Sequence, residues 1–293
     1  MEFLTNPVGW WLDPFVANEF MRSALWAGLL AVLTTSVVGT WVVLRGMSFL
    51  GDALAHGVLP GIAIAFVVGF STSLGAFIAA IVMMAGIQLI RSNSPFPEDT
   101  SIGVLFVGFL ALAVVIMSSN SGSYSGDLNR FLFGSVTGID DGDLRRQAMA
   151  ALISVGGVIA FYRAFLVMTF DQAKAQLLGL RPRWAYAGLL LLLALSIVAS
   201  FEAVGNLLVF AFLVAPPATA TLLVRRVPLI MATAVVIGAV SVVVGLLISF
   251  HHDTAASATM ALTTVVVFLV VLTLRAAHQA VSAALPRRAE ASS

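Results

Sequence analysis

The sequence predicts an all-α integral membrane protein with about nine transmembrane helices. Apolar residues make up 60% of the 293 residues, charged residues 10%, and the mean hydropathy is +1.04. Soluble domains have roughly 45–50% apolar and about 25% charged residues, so the composition excludes a water-soluble fold. The apolar residues form blocks of about 20 residues, which is the length an α-helix needs to cross the bilayer core. Runs such as 189–199 and 235–249 are apolar on every face, which excludes a membrane β-barrel.

Short polar stretches between the apolar blocks set the expected limits of the spans. They predict helices near residues 22–44, 50–70, 73–91, 101–119, 146–168, 184–202, 205–224, 229–250 and 257–275. We therefore expect a single membrane domain over 22–275, an amino-terminal tail over 1–21 and a carboxyl-terminal tail over 276–293.

The distribution of Lys and Arg predicts how the chain is oriented. Nine spans put the two termini on opposite sides of the membrane. With the carboxyl terminus inside, the cytoplasmic side holds most of the basic residues, and only Arg22, Arg130, Arg145 and Arg146 lie outside. Because cytoplasmic loops are enriched in Lys and Arg, we expect the amino terminus outside the cell and the carboxyl terminus inside.

The second span contains a carboxylate and an imidazole four residues apart, Asp52 and His56. Residues i and i+4 lie on one face of a helix, so one ion could bridge both side chains. Apart from Glu202, at the very end of its span, Asp52 is the only acidic residue within a predicted span, and an intramembrane ionisable group indicates function. The pair fits a metal or proton site, and the alternative is an Asp–His hydrogen bond that holds helices together. The chain has no cysteine, so a metal would be held by oxygen and imidazole ligands.

Small residues and a proline follow this pair in the same span. Pro60 has no N–H, which leaves the carbonyl of His56 without its helical donor and favours a bend. Gly57 and Gly61 are spaced for close helix packing. If two copies of the span met at a dimer axis, two carboxylates and two imidazoles would face each other, a set that fits manganese, zinc or ferrous iron.

Other polar or helix-disturbing residues are weaker candidates for function. Metal could pass through the predicted outer turn of His251, His252 and Asp253, although exposed polar turns are common. Glu202, near the outer end of its span, is either a ligand or a solvated interfacial carboxylate. A proline pair, Pro216 and Pro217, predicts a kink in the seventh span that serves packing or a moving gate.

Two loops are long enough to have structure of their own. The outer segment 120–145 carries an apolar insert at 131–133, which predicts a packed re-entrant or interfacial piece. The inner segment 169–183 predicts a short amphipathic helix that ends at Gly179. This helix could be covered by a cytoplasmic partner or could lie on the membrane surface.

Motif searches exclude several enzyme classes. The chain lacks the His-Glu-x-x-His of zinc proteases and the Gly-x-Gly-Asp of intramembrane aspartyl proteases. Its only lysine, Lys174, follows Ala173, so a P-loop is absent and ATP would have to be hydrolysed by another subunit.

Several segments resemble the permeases of bacterial zinc/manganese ABC importers. The most specific is the stretch 45–61, which reads RGMSFLGDALAHGVLPG. Other matches follow in the same order along nearly the whole span region: Glu98–Gly103, Phe131–Gly134, Phe170–Asp171 with Gly179, and Val204–Val209 leading to Pro216. One departure is Thr254–Ser257, where the family often has a Pro-x-Gly-like turn.

The resemblance implies a fold similar to the cobalamin and siderophore (type II) importers, and a homodimer in the bacterial inner membrane. It implies two cytoplasmic ATPase subunits that bind ATP, an extracytoplasmic metal-binding protein, manganese or zinc as cargo, and no cofactor or nucleic acid in this chain. By motif match, Asp52 and His56 would be metal ligands. The segment 170–179 would be the coupling helix on the ATPase, with Phe170, Asp171, Ala175 and Gly179 as contact residues.

Two other functions are compatible with the residues. In a proton-coupled secondary transporter, Asp52 and His56 would relay protons without an ATPase. In a non-transporting membrane scaffold, the pair would be structural.

Overall fold

The computed structural model describes residues 7–95, 97–119, 139–170 and 182–290. Within these ranges the regular secondary structure is entirely α-helical. The helices are α1 (Pro7–Ala17), α2 (Glu19–Leu44), α3 (Ser48–Gly57), α4 (Leu59–Val68), α5 (Thr72–Asn93), α6 (Glu98–Ser119), α7 (Asp141–Ala160), α8 (Tyr162–Phe170), α9 (Pro182–Val204), α10 (Asn206–Leu223), α11 (Val227–His252) and α12 (Ala256–Glu290).

The number of membrane spans agrees with the sequence prediction. In the described part of the chain, eight helices are long and apolar enough to cross a bilayer, with α3 and α4 counted as the single span Ser48–Val68. The pair α7 and α8, which meet at an angle of 63°, forms a ninth span if it is counted as one. The predicted all-α membrane fold with about nine spans is therefore confirmed.

Both predicted tail segments contain helix. The segment 1–21 includes α1 and the first turn of α2, and α12 continues through 276–290. Residues 276–285 are rich in alanine, a strong helix former, so the helix is favoured beyond the apolar stretch that defined the span. In α1, Trp10 stacks on His251 with ring centroids 4.3 Å apart, which attaches this helix to the end of α11.

Helix α2 lies at the centre of the bundle and packs against α7, α9, α10 and α11. Its second half is almost wholly buried, from Thr34 to Val42. Trp41 is fully buried and makes edge contacts with the rings of Tyr162 and Phe165, each at 5.6 Å between centroids. These contacts fix the bend between α7 and α8 against the end of α2.

The span that carries Asp52 is closely packed against α5. A Cβ atom added at Gly61 would lie 2.7 Å from the carbonyl carbon of Gly75, and one added at Gly75 would lie 3.0 Å from that of Gly61. Gly57 lies against the side chain of Met83. The close backbone approach predicted from Gly57 and Gly61 is therefore found at Gly61, where the backbones of α4 and α5 meet at Gly75, whereas Gly57 meets a side chain.

The proline pair Pro216 and Pro217 lies buried within an unbroken α10. The prolines have no N–H to donate to the carbonyls of Phe212 and Leu213, four residues earlier. The hydroxyl of Ser36 in α2 donates to the Phe212 carbonyl at 3.2 Å, and the Leu213 carbonyl lies against Gly39. The two carbonyls freed by the prolines thus become contacts between α10 and α2, and a gating role for the prolines stays a prediction.

Candidate metal site

Asp52 and His56 face each other across one turn of α3. Asp52 Oδ1 and His56 Nε2 are 3.7 Å apart, and the side chains are 30% and 27% exposed. The rest of α3 is mostly buried, including Leu50, Ala53 and Leu54. The carboxylate and the imidazole therefore open onto one partly accessible face, as their i, i+4 spacing predicts.

Two neighbours hold the imidazole of His56. The side-chain nitrogen Nδ2 of Asn206, the first residue of α10, lies 3.1 Å from His56 Nδ1. The ring of Phe106 in α6 meets the imidazole edge-on with centroids 5.7 Å apart, and Phe106 in turn contacts Phe49. The ring therefore lies between an amide at Nδ1 and a carboxylate at Nε2.

The 3.7 Å separation is close to what a shared divalent ion requires. With metal–ligand bonds of about 2.1 Å, tetrahedral ligands are about 3.4 Å apart and adjacent octahedral ligands about 3.0 Å apart. A shift of less than about 1 Å would bring Asp52 and His56 into either geometry. Carboxylate and imidazole together suit manganese, zinc and ferrous iron.

This pair supplies at most three of the four to six donor atoms that such an ion takes. Among the residues that the structure describes, no group of three or more His, Asp or Glu side chains comes together as a metal site. The remaining donors would come from water, from amide or carbonyl oxygens, or from a second copy of the chain.

The cluster of His251, His252 and Asp253 lies where α11 ends. His251 Nδ1 is 2.9 Å from the carbonyl of Leu247, and His252 Nδ1 is 3.0 Å from that of Ile248. A carbonyl only accepts hydrogen bonds, so both Nδ1 atoms donate. Asp253 ends the helix in the left-handed conformation, with φ of 50°. A metal-handling role for these residues stays a prediction.

Other residues singled out in the sequence lie partly or wholly outside the described residues. The side chain of Glu202 is one of these, as are Asp171, Ala175 and Gly179 and the insert at 131–133. Phe170 is exposed at the end of α8. Pro60 is buried at the second position of α4. The second span is interrupted between α3 and α4, at Val58 only.

Asn206 and Phe106 contact His56, and neither was recognised as a site residue from the sequence. Asn206 lies within the segment Val204–Val209 that carried the resemblance to a permease family, but its partner is 150 residues away. That pairing was not recognisable from spacing.

The fold defines a polytopic α-helical membrane protein with a carboxylate and an imidazole side by side in its second span. The model of the ABC 3 transport family matches residues 17–275, so the chain belongs to that family. It is a membrane-spanning permease of an ABC transporter.

Curated relatives and a solved structure match most of the chain. It is 34% identical over 259 residues to the manganese transport system membrane protein MntC of Listeria monocytogenes, covering 88% of this chain and 92% of MntC. It is 34% identical over 260 residues to the chelated iron transport system membrane protein YfeD of Yersinia pestis, covering 89% and 86%. The structure of PsaBC from Streptococcus pneumoniae in complex with Fab is similar with a TM-score of 0.81 and 30% identity, covering 89% of this chain and 94% of the other.

Proposed function

We propose that this permease carries a divalent transition metal into the cell, with manganese as the first candidate, and that Asp52 and His56 are its ligands in the pathway. The observation that carries the proposal is the carboxylate–imidazole pair, 3.7 Å apart inside a membrane span of an ABC family permease. The names of MntC and YfeD, which refer to manganese and iron, support cargo of this class.

Transport requires that the ion is held weakly. A site with a full set of protein ligands, like a structural zinc site, would trap the ion. One carboxylate and one imidazole at about 30% exposure leave most coordination positions to exchangeable donors. The site is therefore suited to an ion that enters on one side and leaves on the other.

A second copy of the chain would supply two further ligands, which leaves two of the six positions of an octahedral ion such as manganese to exchangeable donors. Two copies that meet at the exposed face of α3 would supply two Asp52 carboxylates and two His56 imidazoles. Phe49, on the same helix, is exposed and would be covered by such a contact. We propose a homodimer with the metal on its axis, the amino termini outside and the carboxyl termini inside.

ATP would be hydrolysed on a separate subunit that binds the cytoplasmic side at 170–179, and an extracytoplasmic protein would deliver the metal. Arg45 links the two regions that have to move together. Its Nη1 donates to the carbonyl of Met168 at 3.4 Å, near the end of α8, and its guanidinium lies 5.4 Å from the ring centroid of Tyr186 in α9. Arg45 also directly precedes the short connection to α3, so movement at 170–179 can reach Asp52 through it.

The test is uptake of labelled manganese, zinc and iron by cells that express the chain with its ATPase and binding protein. We compare wild type with Asp52→Asn and His56→Gln, and use Asp13→Asn and His278→Gln as matched controls because both residues are exposed and far from α3 in sequence. We expect ATP-dependent uptake that both site variants lose and both controls retain.

The opposite results would separate the alternatives. If Asp52→Asn and His56→Gln assemble with the ATPase and transport normally, the pair is structural and the pathway lies elsewhere. Uptake that follows a proton gradient and continues without ATP would support a proton-coupled transporter instead.

A further inference from the structure

Asn206 places a buried carboxamide directly against the imidazole of the proposed ligand His56. Only 2% of Asn206 is exposed, and its Nδ2 lies 3.1 Å from His56 Nδ1. It follows Gly205, whose φ of 80° turns the chain into α10. Gly205 therefore sets the direction from which Asn206 reaches the metal-site helix.

The usual role of asparagine near a helix start does not apply here. Asn side chains at the N-cap position often cap the helix by accepting a backbone N–H. Residue 205 is the N-cap of α10, and no side-chain capping bond is present. The carboxamide oxygen Oδ1 of Asn206 is buried and has no hydrogen-bond partner within the described residues. The side chain is thus directed at His56 and not at its own helix.

The two ring nitrogens of His56 have different chemical roles in the proposed site. A metal binds a lone pair, so an ion shared with Asp52 would use Nε2 and leave the proton on Nδ1. A protonated Nδ1 needs an acceptor. The carboxamide of Asn206 supplies one when it rotates by 180°, which exchanges Oδ1 and Nδ2 at nearly unchanged shape.

We propose that Asn206 is a positioning residue for His56: its Oδ1 accepts the Nδ1–H and thereby directs the Nε2 lone pair at the metal shared with Asp52. In the arrangement described above, Nδ2 can only donate, which corresponds to the tautomer with Nδ1 as acceptor and the proton on Nε2. The two amide orientations therefore correspond to His56 without and with the ion. This inference rests on the proposed function.

The test compares Asn206→Asp with Asn206→Leu in the assembled transporter. Asp keeps an oxygen acceptor of the same size, whereas Leu has similar volume and no acceptor. We measure equilibrium Mn²⁺ binding without nucleotide, and the ¹⁴N coupling of a histidine nitrogen to bound Mn²⁺ by pulsed electron paramagnetic resonance. We expect Leu to weaken binding by about 10- to 100-fold, as for other residues that orient a metal ligand, and to reduce the ¹⁴N coupling.

Asn206→Asp is expected to retain both the affinity and the ¹⁴N coupling, which a merely structural role would not predict. His56→Gln serves as the reference. If His56→Gln loses binding while Asn206→Leu keeps wild-type affinity and coupling, the positioning role is wrong and the metal site stands. If His56→Gln itself binds Mn²⁺ like wild type, the proposed site is wrong and the role of Asn206 falls with it. If Asn206→Leu prevents assembly with the ATPase, Asn206→Ala takes its place, because alanine removes the acceptor without added bulk. The same loss or retention of affinity and ¹⁴N coupling then tests the positioning role.

Discussion

The contact between Gly61 and Gly75 makes a sharp prediction about the stability of the span that carries Asp52 and His56. In Gly61→Ala, the new Cβ would lie 2.7 Å from the carbonyl carbon of Gly75 and 2.6 Å from the Cβ of Ala79. Carbon atoms in ordinary contact are about 3.5–4.0 Å apart, so α4 and α5 must separate by about 1 Å. Backbone atoms cannot turn away as a flexible side chain does.

Overpacking of this kind costs about 1–3 kcal/mol, and this site lies at the upper end because backbone meets backbone. For a chain of this size the melting temperature should fall by roughly 5–10 °C. Thermal unfolding of the purified transporter measures the shift. Gly108→Ala is the matched control, since an added Cβ there meets nothing within 4 Å and alanine favours helix. Equal melting temperatures for Gly61→Ala and wild type would refute the packing argument.

Two further predictions concern hydrogen bonds. Ser36→Ala removes the donor to the Phe212 carbonyl and should destabilise the protein by about 1–3 kcal/mol. Pro216→Ala in that background restores an N–H donor for the same carbonyl, so a double-mutant cycle measured by thermal unfolding should show that the two substitutions are coupled. Additive effects of the two substitutions would contradict the proposed hydrogen bond. The N–H of Asp143, which bonds the Asp140 carboxylate, holds the Asp140 pKa below its ordinary value of 3.8. The stabilisation by the Asp140 carboxylate is present at a pH above the ordinary pKa of this group, and it is lost as the pH falls through the lowered pKa of the folded state. Asp140→Ala should therefore melt below wild type at pH 7 in a pH series of melting curves, and a gap that does not narrow under acid conditions would contradict this.

Much of the fold and part of the site were predictable because they depend on residues that are close together in the sequence. Helix limits in the middle of the chain fall within a few residues of the prediction, as for 73–91 and the observed Thr72–Asn93. The Asp52–His56 pairing follows from helical periodicity alone. The ends were less predictable, since α12 continues to Glu290 on helix propensity after the apolar stretch has ended.

The neighbours of the site were not predictable in the same way. Most spans are apolar on every face, so the sequence contains no stripe that indicates which helix packs against which. The approach of Asn206 to His56 joins residues 150 apart, and that of Ser36 to Phe212 joins residues 176 apart. Neither pair has a spacing or a motif that indicates contact.

The sequence by itself determined that the chain spans a membrane, about how many times it does so, and that one span carries a carboxylate and an imidazole on the same face. These properties follow from hydropathy and from the 3.6-residue period, which act over a few turns of helix. The tertiary structure alone decided that a buried amide holds the imidazole, that Ser36 and Gly39 cover the carbonyls freed by two prolines, and that Gly61 meets Gly75. Such contacts depend on which apolar helices become neighbours, and these helices are nearly uniform in sequence. The choice of neighbours is made by the fit of small residues and freed backbone groups, which exists only in the packed bundle.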